Sequence, residues 1–77
     1  MGILETEKEI AAVERANFIL LSLYREYAIK SQHNEQLKEE YFGKMRQIKH
    51  DLRYLTHKEL LVKTERIYRP ALLKMKG

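Results

Sequence analysis

The sequence predicts an all-α fold, and three observations support this class. Ala, Glu, Lys, Leu and Arg make up 41 of the 77 residues, a composition typical of long helices. Glycine and proline, which interrupt helices, occur only four times together. Apolar residues recur at spacings of three and four, the period of a helix that buries one face. The length allows one domain, residues 1–77.

The first predicted helix runs from about residue 6 to residue 31. Residues 6–9, Thr-Glu-Lys-Glu, match a capping box, in which a hydroxyl and a carboxylate each accept a hydrogen bond from a free backbone N–H. The apolar period then continues without a break from residue 10 to residue 27. It ends before Ser31 and Asn34, either of which would serve as the N-cap of the next helix.

The second predicted helix runs from about residue 34 to residue 55. Gly43 lies inside it and would suit a close helix contact, at a cost of about 1 kcal/mol relative to alanine. No capping residue follows Gly43, so we expect one continuous helix. The short connection to the first helix predicts an antiparallel hairpin. The expected core stripe of this helix is Leu37, Tyr41, Met45, Ile48, Leu52 and Leu55.

A second capping box, Thr-His-Lys-Glu at residues 56–59, predicts a shorter third helix from about residue 57 to residue 69. Pro70 cannot donate a helical hydrogen bond and disfavours helical geometry at Arg69. We therefore expect the helix to stop there and a C-terminal turn to follow Pro70. The three helices would form a three-helix bundle or a dimeric helical bundle.

The small size of the chain favours self-association. A chain this short builds only a limited core, and it has no cysteine for a disulfide that would reinforce the fold. Helix 1 is apolar on nearly every side, since Phe18 and Ile19 lie roughly opposite its main apolar stripe. We expect a homodimer that buries Phe18, Ile19 and Leu23, unless the third helix covers this second side.

The charges are distributed unevenly, and this asymmetry is the strongest functional signal in the sequence. Residues 1–43 carry eight acids and five bases, whereas residues 44–77 carry three acids and ten bases. Helix dipoles explain part of the pattern, because acids cluster at helix starts and bases at helix ends. They do not explain basic residues that repel one another along one side of helix 2. The expected binding residues are Phe42, Arg46, Lys49, His50 and Arg53 on helix 2, and Lys58, Val62, Arg66 and Arg69 on helix 3.

Catalytic and metal-binding patterns are absent from the sequence. No histidine has a second ligand four residues away, and there is no cysteine, so we expect no metal site. Glycine-rich phosphate loops and serine nucleophile motifs are also missing, so we expect a non-enzymatic protein without a cofactor. The longest uncharged run, residues 16–24, is shorter than the roughly 20 residues of a membrane helix. The acidic start is unlike a signal peptide, and we expect a cytoplasmic protein with no membrane partner.

These features favour a small helical interaction module, namely a regulator, inhibitor or adaptor, that binds an acidic protein partner through a basic face. The first alternative is a nucleic-acid-binding protein that uses the basic face of helices 2 and 3, because cations displace counterions from phosphates. A helix-turn-helix reader fits poorly, since the expected recognition helix begins with the acidic Glu59. The second alternative is a structural helical subunit of a larger assembly.

Overall fold

Three helices make up the computed structural model, which describes the backbone of residues 3–76 and the side chains from Glu7 onward. Helix α1 spans Ile3–His33 and helix α2 spans Lys38–Tyr54, and a third helix extends from residue 57 to residue 76. No strand occurs in this part of the chain, so the predicted all-α class is confirmed. Within the same part, no helix combines the length and the apolar character needed to cross a bilayer.

Helix α1 begins before the capping box that the sequence suggested. Thr6 already has helical backbone geometry, so it does not cap this helix, and its side chain lies outside the described residues. The pattern of threonine followed by glutamate also fits a helix interior, and the preceding Leu4 and Glu5 favour helical geometry. Helix α1 is therefore already formed at Ile3, before the predicted start at residue 6.

Asn34 separates α1 from α2 and lets the chain reverse. Its backbone is extended (φ −145°, ψ 96°), and its Oδ1 accepts hydrogen bonds from the N–H groups of Gln36 (3.2 Å) and Leu37 (3.3 Å). A single 3₁₀ turn, Glu35–Leu37, then leads into α2. Of the two predicted caps, Asn34 is therefore the one used, because Ser31 is buried within α1 and bonds to a carbonyl of its own helix at 2.7 Å.

Helix α2 passes through Gly43 without interruption, as predicted. A Cβ at this position would meet only Arg46 Nη2, at 3.8 Å, which is an ordinary van der Waals contact. Gly43 therefore does not mark a close approach of another helix, contrary to the sequence-based expectation. An alanine would fit at this position and would favour the helix by about 1 kcal/mol.

The third helix continues through Pro70, where its end was predicted. It consists of α3 (His57–Lys63), a π-helical turn (Thr64–Tyr68) and α4 (Arg69–Lys76). At the end of the π turn, the N–H of Arg69 bonds to the carbonyl five residues back instead of four. The wider turn accommodates the Pro70 ring, which in a regular helix clashes with the carbonyl four residues back. A helical segment therefore replaces the predicted stop at residue 69 and the turn after it.

One small core joins the three helices. Leu37 and Leu52, predicted to face this core, are instead each 37% exposed. The other residues of the predicted α2 stripe are buried in the core or pack against it. The buried residues that form the core cluster are Leu20, Leu23, Tyr27, Ile48, Leu60, Tyr68 and Leu72. Because they come from all three helices, their removal from water stabilises the bundle as one unit.

The capping box predicted at residues 56–59 is present. Thr56 Oγ1 accepts a hydrogen bond from the Glu59 N–H at 3.2 Å, and Glu59 Oε1 accepts one from the Thr56 N–H at 3.0 Å. The hydrogen bonds from Thr56 lower the pKa of the Glu59 carboxyl from its ordinary value, because they stabilise the charged form. The start of the third helix is therefore defined by these two residues.

Thr56→Ala removes one half of this cap and should lower the free energy of unfolding by about 1 kcal/mol. Urea unfolding followed by far-UV circular dichroism measures the loss. Thr6→Ala is the matched control, because Thr6 lies within helical backbone and is not an N-cap. The control should leave stability unchanged or raise it slightly, since alanine has the higher helix propensity. Equal losses in the two variants would contradict the cap at Thr56.

Candidate functional site

Three basic side chains, Arg46, Lys49 and Arg53, form an exposed row on α2, which we call the basic row. At 100° per residue, they lie roughly 140–160° around the helix from Asp51. Asp51 is directed at the third helix, because its Oδ2 lies 2.7 Å from Lys63 Nζ. The basic row therefore faces away from the third helix, towards solvent.

The basic row has no carboxylate partner among the residues whose side chains the structure describes. The ion pairs in this part of the chain involve other bases. Instead, Lys49 Nζ lies 6.0 Å from the ring centroid of Tyr24, and the guanidinium carbon of Arg53 lies 5.7 Å from that of Tyr54. The mutual repulsion expected from the sequence is thus not relieved by an acid on a neighbouring helix.

Two aromatic side chains, His50 and Tyr54, flank the basic row. Tyr54 is 65% exposed, and its ring centroid lies 4.8 Å from that of His50. His50 is largely exposed as well, with its Nδ1 3.5 Å from Asp51 Oδ1. Tyr54 therefore offers an exposed aromatic ring that lies beside the His50 imidazole and the guanidinium of Arg53.

Phe42 lies beside the basic row but is less accessible than the sequence suggested. Its side chain is half-buried, and Lys38 Nζ lies 5.7 Å from its ring centroid. By helical periodicity it occupies the same side of α2 as Lys49 and Arg53. Phe42 therefore adds a modest apolar contact at one end of the row, and Tyr54 adds a larger one at the other end.

The residues predicted on helix 3 form a separate surface. Lys58, Val62 and Arg66 are exposed and line an open groove along the third helix. Arg69 lies elsewhere, because it pairs with Glu65 at 3.0 Å beside α1. The sequence-based expectation of one basic face across helices 2 and 3 is therefore not met, since the basic row faces away from the third helix.

The three residues predicted for self-association differ in exposure. Phe18 is 70% exposed, whereas Ile19 is half-buried and packs against the core. Leu23 is fully buried within the chain, so its predicted place in an interface between copies is wrong. Leu23 follows the buried Leu20 by three residues and therefore shares its inward face. Phe18 is the member of this set that a second copy could contact most fully.

The only buried charged side chain among the described residues is Asp51, which was not expected from the sequence. Its carboxylate is 2% exposed and accepts hydrogen bonds from Tyr68 Oη and from Gln47 Nε2 (3.0 Å), beside the ion pair with Lys63. Burial by itself raises the pKa of Asp51, but Lys63 and the hydrogen bonds from Tyr68 and Gln47 outweigh it and hold the pKa below its ordinary value. Burial and the Asp51 carboxylate both raise the pKa of the Tyr68 hydroxyl. The carboxylate thus remains charged and connects α2 to the third helix.

No family assignment guides the choice of function. No protein-family model matches the chain, and the searches of curated proteins and of solved structures find no match either. Among the described residues, no group of three or more histidine, cysteine, aspartate or glutamate side chains could hold a metal ion. The candidate site is therefore defined by its geometry alone, as the basic row with its flanking aromatic residues.

Replacing the buried carboxylate by an amide tests whether Asp51 connects α2 to the third helix. Asp51→Asn leaves Lys63 without its counter-charge, so the free energy of unfolding at neutral pH should fall by about 2–3 kcal/mol. Because the folded pKa of Asp51 lies below the ordinary 3.8, the unfolded chain takes up this proton first as the pH falls. Wild-type stability should therefore decline below about pH 4, and its advantage over Asp51→Asn should shrink there.

Chemical denaturation at a series of pH values measures both effects. Glu39→Gln is the matched control, because it makes the same change at an exposed carboxylate of the same helix. The control should cost far less stability than Asp51→Asn at neutral pH. A wild type and an Asp51→Asn variant of equal stability at neutral pH would show that the buried cluster does not hold the helices together.

Proposed function

We propose that this protein is a non-enzymatic interaction module, namely a regulator, inhibitor or adaptor, that binds an acidic protein partner through the basic row. One observation carries the proposal: Arg46, Lys49 and Arg53 are exposed, adjacent on one side of α2, and not paired with a described carboxylate. Their mutual repulsion disfavours this arrangement in the free chain. An acidic surface would relieve the repulsion and form charge-assisted hydrogen bonds with all three.

The dimensions of the row indicate the kind of acidic surface that fits. From Arg46 to Arg53 the helix advances about 10 Å, or two turns, at 1.5 Å per residue. A partner helix or strand with carboxylates over this length would meet the whole row. Phe42, on the same side of α2 as the row, would then supply an apolar contact that excludes water from the charged pairs, and Tyr54 would add one beside Arg53. This combination of charged and apolar residues favours a folded acidic partner over a flexible chain that is bound by its charge alone.

Nucleic acid is the alternative ligand for the same surface, and the exposed Tyr54 ring favours it. The exposed Tyr54 ring could stack on a nucleobase, while the row pairs with phosphates. The basic row is short, however, because the basic side chains of the third helix face another direction. Few phosphates could be contacted together, so a protein partner is the better fit.

We also propose that the module is a homodimer, which the small core and the exposed Phe18 support. A homodimer carries the basic row twice, so a partner with two acidic sites would bind with higher apparent affinity than either row provides alone. The same apolar residues of α1 would serve a structural subunit of a larger assembly, which is the remaining alternative.

Reversing two charges of the basic row tests the proposal. Arg46→Glu with Arg53→Glu should keep far-UV helicity, because both side chains are exposed and point away from the core. The double variant should bind a fluorescent glutamate-rich peptide containing phenylalanine at least about tenfold more weakly at low salt. Lys58→Glu with Arg66→Glu makes the same change in charge on the third helix and is the matched control. It should retain most of the affinity.

Titration of the same variants with single- and double-stranded oligonucleotides separates the two ligand classes. For nucleic acid, the logarithm of the binding constant falls with the logarithm of salt concentration, by about 0.7–0.9 per phosphate contacted. Binding that is tighter than for the peptide and lost in the basic-row variant would assign nucleic acid as the ligand. If neither probe binds at low salt, or if both double variants lose binding equally, the basic row is not the binding surface.

A further inference from the structure

The side of α1 that faces away from α2 carries an exposed stripe that the core does not use. Phe18 is 70% exposed and Leu21 is 60% exposed, and both lie on this side of the helix. Large apolar side chains left this open at helical spacing are typical of a seam between helices. The stripe, which we call the outer stripe, consists of Ala11, Glu14, Phe18, Leu21, Arg25 and Ala28.

The spacing within the outer stripe is that of a two-helix seam. Successive members are separated by three, four, three, four and so on, so that each position recurs after seven residues. A pattern with this period keeps one narrow side of a helix against a partner helix over its whole length. At 1.5 Å per residue, the stripe extends over about 25 Å of α1. The partner is therefore expected to be another long helix.

The sequence of the outer stripe is complementary to itself when a second α1 runs antiparallel. A two-fold axis between Phe18 and Leu21 places Phe18 opposite Leu21 of the second copy, and Leu21 opposite its Phe18. The same axis places Glu14 opposite Arg25, and the small Ala11 opposite Ala28, where the backbones can approach. An isologous interface needs such self-complementarity, since both copies contribute the same residues.

The charges of the outer stripe favour the antiparallel orientation over the parallel one. Glu14 and Arg25 are both exposed, and neither has an ion-pair partner among the described side chains. In the antiparallel pair they form two equivalent opposite-charge contacts, one on each side of the apolar centre. A parallel pair would instead place Glu14 against Glu14 and Arg25 against Arg25, which are repulsive.

Two further exposed residues extend the apolar area of the same arrangement. Ile10 and Ile29 are exposed and lie beside the two ends of the outer stripe. In the antiparallel register that aligns Phe18 with Leu21, Ile10 and Ile29 of the second copy lie at the same height but on opposite edges of the seam, because Ile10 precedes the stripe and Ile29 follows it. Each isoleucine therefore widens the apolar area on its own edge and does not pair with the other.

We propose that a second copy of this chain covers the outer stripe, with the two α1 helices packed antiparallel around a two-fold axis between Phe18 and Leu21. The proposal rests on the homodimer of the proposed function and specifies its interface. It does not depend on what the basic row binds, because that row lies on α2. Each copy then buries its exposed aromatic residue against a leucine and pairs its two unpaired charges.

Charge exchange within the stripe tests the register in solution, with sedimentation equilibrium of the full chain as the measurement. Glu14→Arg and Arg25→Glu should each weaken the dimer about tenfold, because two opposite-charge contacts become repulsive. The double variant should recover wild-type affinity, since the pairs are restored with their charges exchanged. Glu39→Arg makes the same change at an exposed residue of α2 and should leave the dimer intact.

Mixing the two single variants gives a second test of the pairing. The Glu14→Arg copy then has a basic residue at positions 14 and 25, and the Arg25→Glu copy has an acidic residue at both of these positions. An antiparallel pair of unlike copies has two favourable contacts, so the mixture should form a heterodimer more tightly than either variant forms a homodimer. A parallel pair of unlike copies would also gain from opposite charges, but the double variant distinguishes the two orientations. A parallel dimer would not lose affinity in the single variants and recover it in the double variant.

Three results would overturn the proposal. They are a wild-type chain that stays monomeric at high micromolar concentration, a double variant as weak as the single variants, and a helical Phe18→Asp variant that dimerises as well as the wild type. Arg46→Glu with Arg53→Glu should remain dimeric. A wild-type chain that dimerises but does not bind the acidic peptide would contradict the proposed function alone, whereas a wild-type monomer that binds the peptide would contradict the α1 interface alone.

Discussion

The buried carboxylate of Asp51 is the constraint on which the arrangement of the three helices depends. A charge that is 2% exposed is tolerated only where enough donors surround it, and here Lys63, Tyr68 and Gln47 supply them. Apolar contacts are non-directional and do not by themselves fix the position of the third helix on the hairpin. The directional bonds to Asp51 permit one position of the third helix, because displacement would leave the carboxylate unpaired.

The same constraint decides which residues of α2 reach the surface. Because Asp51 points at the third helix, Ile48 lies in the core, Leu52 is exposed, and the basic row faces solvent. Ion pairs also divide the ten bases of the C-terminal half into two groups. Lys63 is neutralised by Asp51 and Arg69 by Glu65, whereas the basic row has no such acid among the described side chains. The basic row thus belongs to the bases that have no structural partner of this kind.

The sequence predicted the features that depend on neighbours along the chain. The class, the hairpin, the cap at Thr56 and the uninterrupted passage through Gly43 are local, and the structure contains all four. Features that depend on packing were missed. The π turn that accommodates Pro70 has no simple sequence pattern. Asp51 was missed because only apolar residues were considered for the core, although Asp51 follows Ile48 by three residues and precedes Leu55 by four. This spacing puts Asp51 on the buried side of α2 and could have predicted a carboxylate in the core. The basic row of α2 and the basic groove of the third helix are separate because of how the helices pack. Residue spacing within one helix does not specify this packing.

The apolar surface of α1 is unusually broad because both of its sides carry apolar residues. One side supplies Leu20, Leu23 and Tyr27 to the core of its own chain, and the opposite side leaves Phe18 and Leu21 exposed. A chain of this size has too few residues to cover both sides of α1 with its own helices. If the outer stripe binds a second copy, the limited core and the exposed side have one explanation, because each chain completes the burial of the other. The basic row lies on a different helix, so dimerisation and partner binding need not compete for the same residues.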